Sequence, residues 1–488
     1  MFLGIDIGTS GVKATLIEDA ERIHASVTRP IHVDRPHPHW SEQHPDLWWR
    51  EVVACLDQLA AEEVSAMASV RGLGLSGQML GTVLLDKEDR PLRSCILWND
   101  GRAVEECRDL LEADPEHGKR VGCNPNPGYM APKLLWLSRH EPEIFSQIDG
   151  VLAPKDYINL KLTGRRVTEP TDACGSQLMD VVTGTWAQDR CDAVGLSIDV
   201  LPEVVQACDV VETIKPDLAG RWGLRPSIVV AGGMGDNMAG SIGVGVATPG
   251  QAVISIGTSG VISVVDAEYH PMPTSAVMTH QHAMPGTFLS MGVVLSATSC
   301  LDWAAEMIGL QASELAGLAE RVSKEDRIDQ APIFLPYVNG LRSPHDLPQA
   351  RGLMMGLDLS TDHAALGWAV MEGIAFHFHD ALNAQLDAGI VLDEALLVGG
   401  GARSALWAEM IATLLDMPLG LPVGREVSAA IGATRLARVA AGEGSPEEIL
   451  AARPVIERIV EPNAELASPL LKRFEQFEDL FQRTRQVL

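Results

Sequence analysis

Two octapeptides in distant parts of the chain are nearly identical. Residues 5–12 read Ile-Asp-Ile-Gly-Thr-Ser-Gly-Val, and residues 254–261 read Ile-Ser-Ile-Gly-Thr-Ser-Gly-Val. Each sets a Gly-Thr-Ser-Gly turn behind an apolar strand. Glycines let a backbone approach a ligand closely, and successive N–H groups in such a turn form a concave seat for an anion. Gly8, Thr9 and Ser10 in the first copy, with Gly257, Thr258 and Ser259 in the second, are therefore candidates for gripping one polyphosphate from two sides. Asp6, at the end of the first strand, is a candidate Mg2+ ligand, directly or through water, and Lys13 adds a point of positive charge. The second copy carries Ser255 in place of Asp6, so one half alone offers the carboxylate.

Asp236 lies in the glycine loop Gly232-Gly233-Met234-Gly235-Asp236, after the buried-strand run Ser227–Ala231. A carboxylate held there can take the proton of a hydroxyl that attacks phosphorus. The same position also suits a helix N-cap. Trp98-Asn99-Asp100-Gly101-Arg102 puts an aromatic wall beside carboxylate and amide groups, which suits the C–H faces and hydroxyls of a polyol. Its competing reading is a capped helix start with a core tryptophan. In Gly399-Gly400-Gly401-Ala402-Arg403-Ser404, the missing side chains leave either a flat seat for a planar base or merely a tight strand-to-helix turn. No Gly-Lys-Ser/Thr follows it, so it is not a Walker loop, and no Gly-x-Gly-x-x-Gly follows the opening strand. His37, His39 and His44 match no metal-ligand spacing and read as a solvated loop.

The elements that must hold these residues alternate between strand and helix. Phe2–Ile7 and Val12–Ile17 read as a hairpin around the first turn. Pro45–Leu59 reads as an amphipathic helix with Trp48, Val52, Leu56 and Leu59 on one face. Arg71–Gly77 and Thr82–Asp86 read as a second strand pair, while Lys133–Arg139, Asp156–Leu162 and Asn237–Val246 read as helices. Ala395–Val398 reads as a strand running into the triple glycine, and Ser404–Leu415 as the helix after it. A chain of 488 residues exceeds one ordinary core, and Thr248-Pro249-Gly250 is a natural linker, so two α/β domains are expected, 1–245 and 246–488. A net charge of -27 argues against nucleic acid and anionic membranes as partners. It leaves room for ATP bound by local N–H groups and Mg2+. No apolar run reaches membrane-spanning length, no signal peptide is visible, and the eight cysteines form no Cys-x-x-Cys pair, which together point to a cytoplasmic protein with reduced thiols.

Read together, the motifs resemble the FGGY carbohydrate kinases, and within them the xylulokinases, nearly end to end. The resemblance rests on Gly4–Lys13, Trp40-Ser-Glu-Gln43, Ser76-Gly-Gln78-Met79, Leu97–Arg102, Ala131–Trp136 and Pro154-Lys-Asp-Tyr157. It continues through Gly235-Asp236-Asn237, Ser255–Gly260, Phe334-Leu-Pro-Tyr337 and Gly399–Arg403. It implies two actin-like (ribonuclease H-like) ATPase domains with ATP in the cleft between them, and relatives that are often dimers. It implies transfer of the ATP γ-phosphoryl to the terminal hydroxyl of a ketopentose, D-xylulose first, giving D-xylulose 5-phosphate. By the same resemblance Asp236 is the general base, and the turns at Gly8–Ser10 and Gly257–Ser259 hold phosphates with Asp6 near Mg2+. The loop of Gly400, Gly401, Ala402 and Ser404 faces the adenosine, and Met79, Leu80, Trp98, Asp100 and Asn237 line the sugar pocket.

The sequence departs from the family pattern in two places. Where xylulokinases usually read Gln-Met-His-Gly, this chain has Gln78-Met79-Leu80-Gly81, and Leu341-Arg342-Ser343-Pro344 replaces the usual Glu-Arg-Thr-Pro. Leucine can neither donate nor accept a hydrogen bond, so the pocket is expected to favour a substrate lacking one hydroxyl, such as 1-deoxy-D-xylulose, or another pentulose or polyol. A non-kinase actin-like ATPase, chaperone or sugar sensor would share the nucleotide cleft. It would not need Asp236 or the Trp98–Arg102 group, and a chaperone would need a further peptide-binding domain.

Overall fold

Strands with apolar residues on both faces need cover on both faces, and here each half of the chain builds such a sheet. The computed structural model describes residues 1–19, 21–321, 328, 330–423 and 429–488. The first sheet contains β1 (Phe2–Ile7), β2 (Gly11–Ile17), β3 (Ile23–Pro30), β4 (Gly72–Gly77), β5 (Val210–Thr213) and β6 (Val229–Ala231), in the order β5-β6-β4-β1-β2-β3. The second contains β7 (Gln251–Ile256), β8 (Gly260–Asp266), β9 (Met278–Gln281), β10 (Phe288–Val294), β11 (Glu394–Val398), β12 (Leu419–Pro422) and β13 (Ile456–Val460), in the order β9-β10-β8-β7-β11-β12-β13.

Apart from the additional edge strand β9 and the short strand Met234–Gly235, which pairs parallel with the end of β4, the two orders superpose strand for strand. β1 and β7 each pair antiparallel with the strand after their glycine turn, and parallel with β4 and β11 respectively. Farther out, β6 and β12 add in parallel and β5 and β13 close the edges antiparallel. The duplicated octapeptide is thus the visible remnant of a duplicated sheet. Because β1 and β7 sit mid-sheet with a parallel neighbour, their C-terminal ends open at the sheet edge where ligands of such folds collect.

The expected hairpin at β1 and β2 and the helix Pro45–Glu62 are present, with Trp48, Val52, Leu56 and Leu59 buried as the spacing requires. The expected pair of Arg71–Gly77 with Thr82–Asp86 is corrected. β4 pairs with β1 and β6, whereas Val83–Leu85 pairs with Gly150–Leu152. Two adjacent runs of strand-forming residues look like a hairpin, but a fully buried central strand gains more from two parallel neighbours.

The helix Ala429–Ala440, late in the chain, packs on the first sheet and on the helix Asp236–Gly243. Glycines make this approach possible. A Cβ on Gly74 would lie 1.8 Å from the Ala433 carbonyl oxygen, one on Gly4 2.5 Å from that of Ala430, and one on Gly432 2.1 Å from that of Ala239. Buried Arg435 secures the crossing, donating to both carboxylate oxygens of Glu21 (2.8 and 2.7 Å) and to the carbonyl of Ile242 (2.6 Å).

Candidate active site

Both glycine turns are closed by a backbone bond from their first glycine, and the second is one residue tighter. The Gly8 N–H donates to the Gly11 carbonyl, and the Gly257 N–H to the Ser259 carbonyl, each at 3.0 Å. The second turn is also held from behind by the start of the helix Thr298–Met307. Ala297 and Ser299 donate N–H groups to the Thr258 carbonyl, and Thr298 donates to that of Gly257. Asp6 takes the Ser76 hydroxyl on Oδ1 (2.7 Å), while no described residue hydrogen-bonds its Oδ2. Burial raises the Asp6 carboxyl, opposed by the Ser76 bond and by Lys13, its register partner on β2.

A cavity of about 230 Å³ lies between the halves. The first half contributes Thr9, Met79, Leu80, Trp98, Asp236 and Asn237 to its wall, and the second contributes Ser259, Val261, Met278, His280, Val293 and Arg342. Seven of the residues expected from sequence therefore meet in one space. Gly235 caps the helix Asp236–Gly243, so Asp236 is its first helical residue rather than its cap. The helix stops at Gly243 because Gly245 turns left-handed at φ +73°, three residues short of the expected Val246. Asp236 is half-buried and opens onto the cavity. Desolvation, with the negative charge of Asp6, pushes its carboxyl up to about 7, a range suited to accepting a proton at neutral pH.

Trp98 is 41% exposed and forms an open wall of the cavity. Its indole N–H donates to the Thr9 hydroxyl (2.9 Å), which donates to Gln78 Oε1 (3.0 Å). Gln78 in turn donates to Gln43 Oε1 (3.0 Å), which also accepts from the Trp48 indole (2.9 Å), and Gln43 donates to the Thr9 carbonyl (2.8 Å). The Thr9 hydroxyl thus orients the tryptophan, its proton committed to Gln78. Sequence reasoning did not assign Gln43 and Gln78 this role, because glutamines linked across 35 positions leave no local period.

Asp100 stands behind this wall. It is absent from the cavity wall, and its carboxylate accepts from the Ser41 N–H (2.6 Å) and from Arg102 through three bonds of 2.7 to 3.0 Å. It holds the loop under Trp98. In the triple-glycine loop, Gly399 and Gly401 allow close packing. A Cβ on Gly399 would lie 2.6 Å from the Ile256 carbonyl oxygen, and one on Gly401 2.3 Å from Ile256 Cγ2. Gly400 is different: a Cβ there meets nothing within 4 Å, so it faces open space. Ser404 caps the helix Ala405–Leu414 by accepting from Trp407 N–H (3.2 Å), and its hydroxyl donates to Glu320 (2.5 Å). The buried Ala402 lies in the short turn Gly400–Arg403. The loop thus lies at the same sheet edge as the Gly257–Ser259 turn, because β7 and β11 are paired neighbours.

The sequence reading also missed Met278, His280 and Arg342. Arg342 lies in the Leu341–Pro344 segment that departs from the family pattern, whereas nothing local distinguishes Met278 and His280, and only the meeting of the halves brings all three to the cavity.

These features fit a nucleotide with its metal. One carboxylate has a free oxygen, a glycine turn from each half reaches the cavity, and Gly400 leaves open space beside the second turn. Among the described residues no cluster of three His, Cys, Asp or Glu forms a metal cage. Mg2+ is commonly held by one or two carboxylates together with phosphates.

Fold and cavity together define a two-lobed phosphotransferase. The N-terminal domain of the FGGY family of carbohydrate kinases matches residues 1–243 and the C-terminal domain residues 252–441. The chain is 40% identical over 484 residues to the xylulose kinase of Escherichia coli, covering 99% of each chain. It is 38% identical to the crystal structure of a xyloylose kinase from Brucella ovis, with a TM-score of 0.96 and full coverage of both. The xylulose kinase from Rhodospirillum rubrum superposes with a TM-score of 0.92 at 27% identity, covering 100% of this chain and 99% of that one. This chain belongs to the FGGY family of carbohydrate kinases, and its fold is that of the actin-like ATPases.

The glutamine relay carries a prediction. Gln78→Leu leaves the Thr9 hydroxyl without its acceptor and frees the Trp98 ring. The KM for the sugar is expected to rise about tenfold, in line with about 1–2 kcal/mol for a broken buried hydrogen bond. The KM for ATP should stay within about twofold, and steady-state kinetics with each substrate varied in turn checks both.

Proposed function

We propose that this kinase transfers the γ-phosphoryl group of ATP to the terminal hydroxyl of a ketopentose, D-xylulose, yielding D-xylulose 5-phosphate. The observation that carries the reading is the single cavity in which the first lobe's Asp236 and Trp98 face the second lobe's phosphate turn at Ser259. The likeness to the E. coli xylulose kinase over 99% of both chains supports the choice of sugar.

Bound ATP with Mg2+ supplies the electrophilic phosphorus and offsets its charge. The residues of this chain do the rest. Asp236 accepts the proton of the attacking hydroxyl, Trp98 packs on the carbon skeleton, and Asn237 and Met79 flank them. The N–H groups of Gly8–Ser10 and Gly257–Ser259 seat the phosphates, Asp6 and Lys13 flank the first turn, and Gly400 lies against the adenosine. Residues 1–245 act as the sugar lobe and 246–488 as the nucleotide lobe. Eight free cysteines fit a reducing, cytoplasmic setting, and among the described residues no helix is long and apolar enough to cross a membrane.

A second reading concerns the sugar alone. Leu80 presents an apolar face to the cavity, which favours 1-deoxy-D-xylulose or another pentulose with one hydroxyl fewer. The test is ADP release on adding D-xylulose, 1-deoxy-D-xylulose, other pentuloses and polyols, with the product identified by mass spectrometry. Sugar-dependent ADP with a phosphorylated pentulose supports the proposal. ATP turnover indifferent to every sugar would sink it.

A further inference from the structure

Beneath the loop that carries Asp236 lies a buried ionic cluster outside the cavity wall. The Lys155 side chain is wholly buried and bonded to Asp156, with Nζ 3.2 Å from Glu169 Oε1 and 3.3 Å from Asp172 Oδ2. Three carboxylates around one ammonium are an excess of acid, and burial raises both Glu169 and Asp172. Such a cluster is a poor source of stability compared with apolar packing, so its contacts must be sought elsewhere.

They lead to Asp236. Glu169 accepts the hydroxyl (2.9 Å) and the N–H (2.8 Å) of Thr171, on Oε1 and Oε2 respectively. With its proton committed to Glu169, the Thr171 hydroxyl oxygen faces the other way and accepts the Gly235 N–H at 2.9 Å. Gly235 immediately precedes Asp236 and caps its helix. The loop is stapled from below at two further points. Asn159 donates to the carbonyls of Ala231 (3.1 Å) and Gly232 (3.4 Å), and a Cβ on Gly233 would lie 3.1 Å from Lys155 Cδ. From above, a Cβ on Gly235 would strike Met79 Cγ at 2.6 Å. The loop has no slack: the cluster lies on one side and a cavity residue on the other.

We propose that Thr171, held by Glu169 and Lys155, is a positioning residue that aims Asp236 at the sugar hydroxyl. The inference rests on reading Asp236 as the base. Misplacing a reacting group by about 1 Å costs on the order of 100-fold in rate. Thr171→Ala is therefore expected to lower kcat about 10- to 100-fold, with the KM for ATP within about twofold of the parent. Thr171→Ser keeps the hydroxyl and should retain kcat within about twofold. Thermal melts of the full chain accompany the kinetics. If the alanine variant does not fold, Thr171→Val, which removes the hydroxyl and keeps the volume, takes its place with the same expected loss of kcat and the same overturning result.

A kcat for Thr171→Ala within twofold of the parent, or a tenfold loss in Thr171→Ser, overturns the proposal. So does an equal rise of both substrates' KM in Thr171→Ala with kcat preserved. An active Asp236→Asn protein would instead defeat the underlying assignment of the base, while an inactive one beside a fully active Thr171→Ala would remove only this inference.

Discussion

Asp236→Asn is expected to lower kcat by about 10²- to 10⁴-fold, the usual contribution of a positioned general base, while nucleotide affinity changes little. Asparagine preserves the shape of the side chain and, through its amide oxygen, an acceptor for the Asn237 N–H, which bonds Asp236 Oδ1 at 2.8 Å. It removes the capacity to take up a proton. A coupled ADP assay and equilibrium titration with a nucleotide analogue separate the two effects, and turnover within tenfold of the parent would end the assignment. The pH profile gives an independent reading. Asp236 acts as base only when ionised, so kcat/KM of the parent should fall as pH drops through about 7. The stability effect has the opposite sense. Because the folded carboxyl lies above its reference value of 3.8, folding favours the protonated form. That contribution is complete below about 4 and is lost as pH rises through about 7. The asparagine variant should accordingly gain in melting temperature over the parent at pH 8, and the difference should shrink as the solution is acidified.

Leu80→His is expected to shift substrate preference by 10- to 100-fold. An unpaired buried hydroxyl costs about 1–3 kcal/mol, and a histidine at this point of the wall offers it a partner. The backbone holds position 80 firmly. Leu80 adopts φ +68°, its carbonyl accepts from the buried Lys133 ammonium at 2.9 Å, and its Cδ2 occupies the space that a side chain at Gly175 would need. The replacement therefore changes the chemistry of the wall with little freedom to swing away. The ratio of kcat/KM for D-xylulose to that for 1-deoxy-D-xylulose should rise in the variant. If the parent already handles D-xylulose with ordinary efficiency and the ratio stays fixed, Leu80 does not select the sugar.

The sequence was informative wherever a residue's role is local. The glycine turns, the amphipathic Pro45–Glu62 helix and the placement of Asp236 between a strand and a small-residue helix follow from backbone needs expressed within a few neighbours. It was silent or misleading where roles depend on partners far along the chain. Local sequence does not show that Gln78 and Trp98 engage the Thr9 hydroxyl, or that Arg102 and Ser41 surround the Asp100 carboxylate. Nor does it show that Gly399 and Gly401 pack against Ile256 on the neighbouring strand. Strand β4 was legible as a strand and mistaken in its partners, since pairing is decided by burial on both edges rather than by the next apolar run.

The helix Ala429–Ala440 changes how the duplication should be understood. Its carbonyls rest where Gly4 and Gly74 have no side chains, so a fragment ending at residue 245 would leave a glycine-floored trough on its sheet bare to water. The repeated halves have given up their autonomy. Neither should survive severance as an ordered body, and a protease nick near residue 250 should leave the two pieces travelling together.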